Sequence, residues 1–385
     1  RLRCDWSSDV CSSDLAAAET GERVILLEQS PHLGGWLRRE GRLIDGAPAM
    51  DWVDAAAARL NVGADVRVLT RTSAFGYYDY NMITAVERVQ DHVAIPDPHL
   101  PRQRLWTSRA KRVVLATGAV EQPIVFPGND RPGVMLAGAV RAYINEYGVL
   151  PGRLAVLQSN NDNAYRTVID LLDAGARVAA VFDVRDHVDG PLPNQVRDRG
   201  VPILEGYGIV GTKGYFGVCQ VQVRRLAAGA VRNYDCDLLC MSGGWAPQVH
   251  LHSQSGGTVV YNADKGCFLP GEARQNCQSI GSAAGQFALG DCLKDAAAGD
   301  DVAEQTLKPT WSLPNAPGRH IKRFVDFQDD VTAEDVALAH REGYISVEHL
   351  KRYTTLGMGG DQGKTSNVTG LAIMAELQGQ DISAV

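Results

Sequence analysis

Glu28 closes the apolar run Arg23–Leu27 (RVILL) and is followed by the loop Gln29–Leu33 and the pair Gly34–Gly35. A carboxylate at the carboxyl end of a buried parallel strand is what a dinucleotide fold uses to accept hydrogen bonds from adenosine ribose hydroxyls. It normally stands about 20 residues after a G-x-G-x-x-G turn. Alone, such an acid is equally a solvated charge at a strand end; the glycine pair beside it favours the ribose ligand. Two further turns could meet the same nucleotide. The strand Arg112–Ala116 (RVVLA) runs into Thr117–Gly118–Ala119, which places small residues where backbone must pass close to a ligand. Later, QSIG ends at Gly281, and Ser282–Gly285, including Ala284, precedes a helix expected over Leu289–Ala298, whose unpaired N–H groups and positive dipole end favour an anion.

A second βαβ pattern has the spacing of a nucleotide fold but not its loop. Leu154–Gln158 reads as strand, Asn163–Ala174 as amphipathic helix stopped by Gly175, and Arg177–Phe182 as strand ending at Asp183. Ser159, Asn161 and Ala164 stand where the glycines belong, and a side chain at the second position blocks a pyrophosphate. The expectation is a structural fold or a smaller ligand, with Asp183 a surface charge.

The elements that must position these groups belong to a long α/β chain. At 385 residues, 45% apolar and only 7% aromatic, the sequence predicts two to three domains. The net charge is −7 and no Lys/Arg-rich stretch occurs, so a nucleic-acid partner has no electrostatic footprint. Apolar runs are far shorter than the roughly 20 residues of a membrane helix. Eight scattered cysteines without a CxxC suggest free thiols in a reducing cytoplasm, and Cys236 and Cys240 read as buried thiols rather than a redox pair. No metal-ligand set stands out, and neither does a catalytic acid, base or nucleophile.

The string Asp5–Leu15 (DWSSDVCSSDL) resembles a translated sequencing adapter. Residues 1–15 are therefore expected to be artefactual and disordered, and the first dinucleotide domain to lack strand one and its glycine loop, leaving apolar sheet edges exposed. Ala16–Gly21 reads as the last turn of a helix. The predicted architecture is a doubly wound α/β domain, residues 16–135 and 245–315, split by insertion of a second, degenerate one, 136–244, as in glutathione-reductase-like folds. A small helical domain follows over 316–385, with helices at Ala333–Glu342, Val347–Tyr353 and from Asn367.

That last block makes a resemblance specific. VDFQDDVTAEDVALAHREG and SVEHLKRYTTLGMGGDQGKTSN, with the earlier NDRPGVMLAGAVRAYINEYG, NNDNAYRT and SGGWAPQVHLHSQ, resemble the alpha subunit of heterotetrameric sarcosine oxidase over 16–385. The resemblance implies a central fragment: members have a longer amino end and continue into a folate-binding domain. It implies oxidation of sarcosine to glycine, with formaldehyde or 5,10-methylenetetrahydrofolate and hydrogen peroxide as further products. It also implies NAD in this subunit, FAD and a covalent FMN held mainly through the beta subunit, tetrahydrofolate bound elsewhere, and beta, gamma and delta partners. Carried over by position, the NAD contacts are Glu28, Gln29, Ser30, Trp36, Ala284 and Leu289; at Trp36 a bulky ring replaces the small residue expected beside a pyrophosphate. By the residues' own reading Gly34, Gly35, Thr117, Gly118 and Gly281 join them.

Related opine-oxidase and amine-dehydrogenase subunits carry an iron–sulfur domain in this block, ligated by four cysteines. The matching positions here are Asp326, Gln328, Asp361 and Ser366, which cannot hold a cluster and read as ordinary solvated residues. Three readings stay open. The first is the non-catalytic, NAD-holding subunit. The second is part of a related FAD/NAD(P)-dependent amine or opine dehydrogenase, or a self-contained flavin reductase. The third is a scaffold without nucleotide.

Overall fold

The structure, a computed structural model, describes residues 2–5, 22–62, 65–293 and 307–385. It divides into two compact units: residues 1–119, 246–262 and 268–301 form the first, and 120–245, 263–267 and 302–385 the second.

The first unit is built on a five-stranded parallel sheet in the order Cys277–Ser279, Val113–Ala116, Leu2–Asp5, Val24–Glu28, Val66–Leu69. In Val24–Glu28 and Val113–Ala116 both faces are buried, so these two strands read as unbroken apolar runs. Alternation still sorts the side chains. Leu26 packs with Leu37, Val53 and Leu60 on the side of the helix Ala49–Val62, whereas Leu27 packs with Tyr77, Ile83 and Leu115. That second cluster draws on an antiparallel meander, Thr72–Tyr78, Met82–Arg88 and Gln103–Arg109.

The expected gap at strand one is filled. Leu2–Asp5 lies at the centre of the sheet, with Leu2 opposite Ile25 on one side and Val113 on the other. Four residues of mixed polarity (LRCD) carry no strand pattern by themselves; two parallel neighbours with unpaired backbone on facing edges supply the reason. The disorder expected for all of residues 1–15, and the exposed edges inferred from it, are thereby corrected. The stretch where the glycine loop is expected to be lacking, the rest of the adapter-like string and the helix turn at Ala16–Gly21 fall on residues outside those described, as does the helix expected beyond Cys292.

The second unit holds another five-stranded parallel sheet, ordered Val134–Leu136, Leu238–Ser242, Leu154–Ser159, Arg177–Asp183, Ile203–Glu205. Tyr165, Val168 and Leu171 of the helix Tyr165–Asp173 bury against Leu157 and Val181 on one face. On the other, Val156, Ala180 and Phe182 meet Ile209, Val221 and Val223 of a three-stranded antiparallel sheet, Tyr207–Lys213, Gln220–Arg225 and Arg232–Asp235. The block expected as a third domain belongs to this unit. Its helices Ala333–Arg341, Val347–Thr354 and Asn367–Gln378 share a core with Val125, whose N–H donates to Trp311 C=O at 2.9 Å. The first boundary therefore falls at 119/120 rather than 135/136. Among the described residues, no helix is long and apolar enough to cross a membrane.

Candidate functional site

In an open parallel sheet, ligands bind outside the carboxyl ends of the strands where the strand order reverses. In the first unit that point lies at Leu2–Asp5, from which the chain winds one way through Val24–Glu28 and Val66–Leu69 and later the other way through Val113–Ala116 and Cys277–Ser279. Glu28 ends the strand on one side of it; Thr117–Gly118 and, one strand further, Gly281 follow the strands on the other. The sheet thus brings these residues to one edge.

Glu28 is 2% exposed. Its carboxylate accepts the Ser30 backbone N–H at 2.6 Å. Burial pushes the Glu28 carboxyl up to about 7; the Ser30 hydrogen bonds and the Arg39 charge oppose that rise without cancelling it. The loop behind it is tied down: the Ser30 C=O accepts the Arg71 N–H at 2.9 Å, and the Gln29 C=O accepts Arg88 Nη2 at 2.8 Å. Gly34 has φ +108°, a backbone that side chains rarely adopt, and a Cβ there would press Met50 and Val53 at 3.3 Å. Its carbonyl starts the short helix Leu37–Glu40 by accepting the Leu37 N–H, and Gly35 is left-handed too. Trp36 is half-buried with the Arg39 guanidinium 5.2 Å from its ring centroid. Sequence reasoning passed over Arg39, although it stands one turn from Trp36.

On the other side, the Thr117 hydroxyl donates to the Gln248 C=O at 2.7 Å, and the Gln248 N–H returns to the Gly118 C=O at 2.7 Å. Gly118 is left-handed, which presents the turn without a Cβ. Gln248 is 131 residues from Thr117, so no local signal announced it. Gly281, also left-handed, opens the single turn Gly281–Ala284, and Ile280 N–H donates to Leu115 C=O to hold it at the strand end. Ala284 is half-buried; Leu289 spends its side chain in the core with Leu26 and Leu37.

These residues fit the ribose end of a dinucleotide. A buried carboxylate whose described donors are confined to Ser30 can take two more hydrogen bonds from a vicinal diol. The chain contains no glycine before Gly21, so pyrophosphate donors are not assigned.

The corresponding edge of the second unit is closed by its own side chains. Asp183, expected at the surface, is fully buried; Arg185 grips it with two nitrogens at 3.0 and 2.8 Å, and Tyr165 donates its hydroxyl at 2.9 Å. Arg185 also pairs with buried Asp162 at 2.7 Å. The reason for the correction is local: Arg185, two residues on, folds back to neutralise the acid where a ribose would have to enter. In the loop, Asn161 Nδ2 donates to the Ser242 hydroxyl, and its Oδ1 accepts the Ala164 N–H, an anion donor in a true phosphate loop. Lys308 lies across, its N–H on Asn160 C=O and its Nζ on Val184 C=O.

In the helical block, the four positions read as solvated residues are hydrogen-bonded to one another. The Asp326 carboxylate, 3% exposed, accepts the Ser366 hydroxyl and the Gly357, Gln328 and Asp329 N–H groups; Gln328 Oε1 accepts the Asp361 N–H. Asp326 and Ser366 are buried because one carboxylate satisfies several donors at once, which corrects that expectation for these two. No cluster of three or more His, Cys, Asp or Glu side chains able to hold a metal occurs among the described residues.

Two dinucleotide-type α/β folds, one inserted in the other along the chain, define the fold class. In agreement, the chain superimposes over its whole length on 75% of an L-proline dehydrogenase from P. horikoshii, with a TM-score of 0.70 at 20% identity. Its sequence is 39% identical over 386 aligned residues, 95% of the chain, to the sarcosine oxidase alpha subunit of Rhizobium meliloti (strain 1021), and residues 320–385 match the family model described as Sarcosine oxidase A3 domain. The chain spans 38% of that relative's length. An opine oxidase subunit of the same organism is 25% identical over 95% of the chain and 89% of its own length. The chain is thus recognised by sequence as similar to sarcosine oxidase alpha subunits, through to their A3 domain.

Proposed function

We propose that this chain is the dinucleotide-carrying portion of an alpha subunit in a sarcosine oxidase complex and that its first unit holds NAD. The observation that carries the reading is Glu28, a carboxylate buried at the strand end beside the reversal of strand order, whose hydrogen-bond donor among the described residues is Ser30. Gln29 and Ser30 shape the loop around the ribose, Gly34, Gly35 and Trp36 border it, and Thr117, Gly118, Gly281, Ala284 and the start of the helix at Leu289 line the opposite side. NAD here serves to bind, and no residue of this chain is assigned a catalytic step. The second unit, with its edge closed, is structural.

In this reading the complex oxidises sarcosine to glycine in the cytoplasm and reduces oxygen to hydrogen peroxide. The one-carbon unit leaves as formaldehyde or, on tetrahydrofolate, as 5,10-methylenetetrahydrofolate. FAD and a covalent FMN belong mainly to the beta subunit, and gamma and delta subunits complete the assembly. The likeness to an opine oxidase favours a second reading, a component of an opine or other amine dehydrogenase. Against it stand the oxygen donors around Asp326 in place of the thiolates that an iron–sulfur cluster takes.

Release of bound nucleotide from the purified chain and its identification by mass spectrometry tests the proposal. NAD recovered from the wild type and absent from Glu28→Gln supports it. FAD in its place, or NAD recovered equally from both, overturns it.

A further inference from the structure

Cys219 and Cys236 stand at the open end of a hairpin. Its strands, Gln220–Arg225 and Arg232–Asp235, are antiparallel with Gln220 opposite Asp235, so one further step in the same register sets Cys219 opposite Cys236. The Cys236 N–H donates to the Cys219 C=O at 3.1 Å, which carries the pairing across that step. Directly opposed residues of an antiparallel pair have Cα atoms about 4.5–5.5 Å apart and point to the same face. Disulfides span Cα separations of about 4.4–6.8 Å. The backbone hydrogen bond and the electrostatic influence of Cys219 on the Cys236 thiol set the two residues side by side. Both are free thiols, Cys219 exposed and Cys236 only 3% exposed.

We propose that this pair is a reversible oxidation site for peroxide. The Cys219 sulfur attacks a peroxide oxygen and becomes a sulfenic acid, releasing one water; the Cys236 sulfur then displaces the hydroxyl, forming the Cys219–Cys236 disulfide and releasing a second water. Two thiols and one hydrogen peroxide give one disulfide and two waters, and a low-molecular-weight thiol reverses the step by exchange. Exposure sets the order of attack. Burial pushes the Cys236 thiol up to about 12, reinforced by Asp237, Cys219 and Asp235, so it is a poor first nucleophile and acts as the resolving partner. The bond ties the middle strand of the three-stranded sheet to its edge strand at the end opposite the turn.

The test is to treat the full chain with hydrogen peroxide, block remaining thiols with an alkylating reagent, and map the peptides without reduction. A Cys219–Cys236 crosslinked peptide, lighter by two hydrogens and restored to two alkylatable thiols by dithiothreitol, is expected. Cys236→Ala should instead leave Cys219 as a sulfenic acid trapped by dimedone, while Cys219→Ser should leave Cys236 a free thiol; the latter exchange is on the surface and spares the fold. A wild-type chain in which Cys219 accumulates the dimedone adduct as fully as in Cys236→Ala, with no crosslink, overturns the proposal.

Discussion

The Ser366 hydroxyl donates to the Asp326 carboxylate at 2.9 Å, joining residues 40 positions apart. The other oxygen of that carboxylate receives the Gln328 and Asp329 N–H groups, while the oxygen that meets Ser366 also receives the Gly357 N–H. One side chain thus fixes the hairpin of Phe324–Asp326 and Val331–Thr332 to the glycine-rich loop and to the start of the helix Asn367–Gln378. Without it, the Gly357 N–H and the Ser366 hydroxyl would be buried and unpaired.

The first prediction concerns that hub. Removing a partner so that a buried donor is left unsatisfied costs about 1–3 kcal/mol per group. Asp326→Ala, which orphans Gly357 N–H and the Ser366 hydroxyl together, should therefore destabilise the chain by about 2–4 kcal/mol. The effect should also depend on pH. Burial alone would raise the Asp326 carboxyl, but the hydrogen bonds from Gly357, Gln328, Ser366 and Asp329 outweigh it and hold the group below the usual carboxylate range. A depressed acid gives stability that is complete above its unfolded pKa and is lost as pH falls through the folded one. The gap between wild type and variant in urea unfolding should be full at neutral pH and should shrink only in acid below about pH 4; a gap unchanged into strong acid contradicts the role given to the charge.

Arg185 carries the second. It compensates two buried carboxylates, Asp183 and Asp162, and removal of one partner from such a group costs about 3–5 kcal/mol because the remaining charge has lost its counter-ion. Arg185→Met should lower the unfolding free energy by about that amount. Asp183→Leu introduced together with it should recover part of the loss. If the double variant is as unstable as the sum of the two singles, the charges are not coupled as their geometry indicates.

The strands and helices were legible wherever a local pattern carried them. The apolar runs at Val24–Glu28, Val113–Ala116 and Leu154–Ser159 and the helices at Ala333–Arg341 and Asn367–Gln378 follow from period and from Gly or capping residues. What escaped was decided at a distance. Leu2–Asp5 is a strand because of its two neighbours, not its own composition. Asp183 and Asp326 look alike in sequence, each an acid ending a short apolar run, yet both are interior because partners such as Tyr165, Gly357 and Ser366 converge on them. At Glu28 the strand end follows from the run before it, whereas the anchors of the next loop, Arg71 in a turn and Arg88 at a strand end, come from segments that the sequence does not link to it.

Glu28 gives the third prediction. With its carboxyl pushed up to about 7 by burial, the folded chain binds a proton there that the unfolded chain, at the ordinary 4.5, has already released. Between these two values the folded state holds more protons, so stability contributed at this residue falls as pH rises from about 4.5 to about 7. Ribose hydroxyls donate hydrogen bonds, and the ionised carboxylate is the form that accepts them. NAD binding should therefore strengthen as pH rises toward 7 and level off above it, with a proton released on binding at lower pH. Glu28→Gln should weaken binding by about 1.5–3 kcal/mol, roughly 10- to 100-fold, the worth of hydrogen bonds to a charged group. It should also abolish the pH dependence and remove the decline in stability over the same window. Calorimetric titration of NAD in two buffers of different ionisation enthalpy, from about pH 5.5 to 8.5, measures affinity and proton release together. An affinity independent of pH in the wild type would place the ribose away from Glu28, even if NAD is bound.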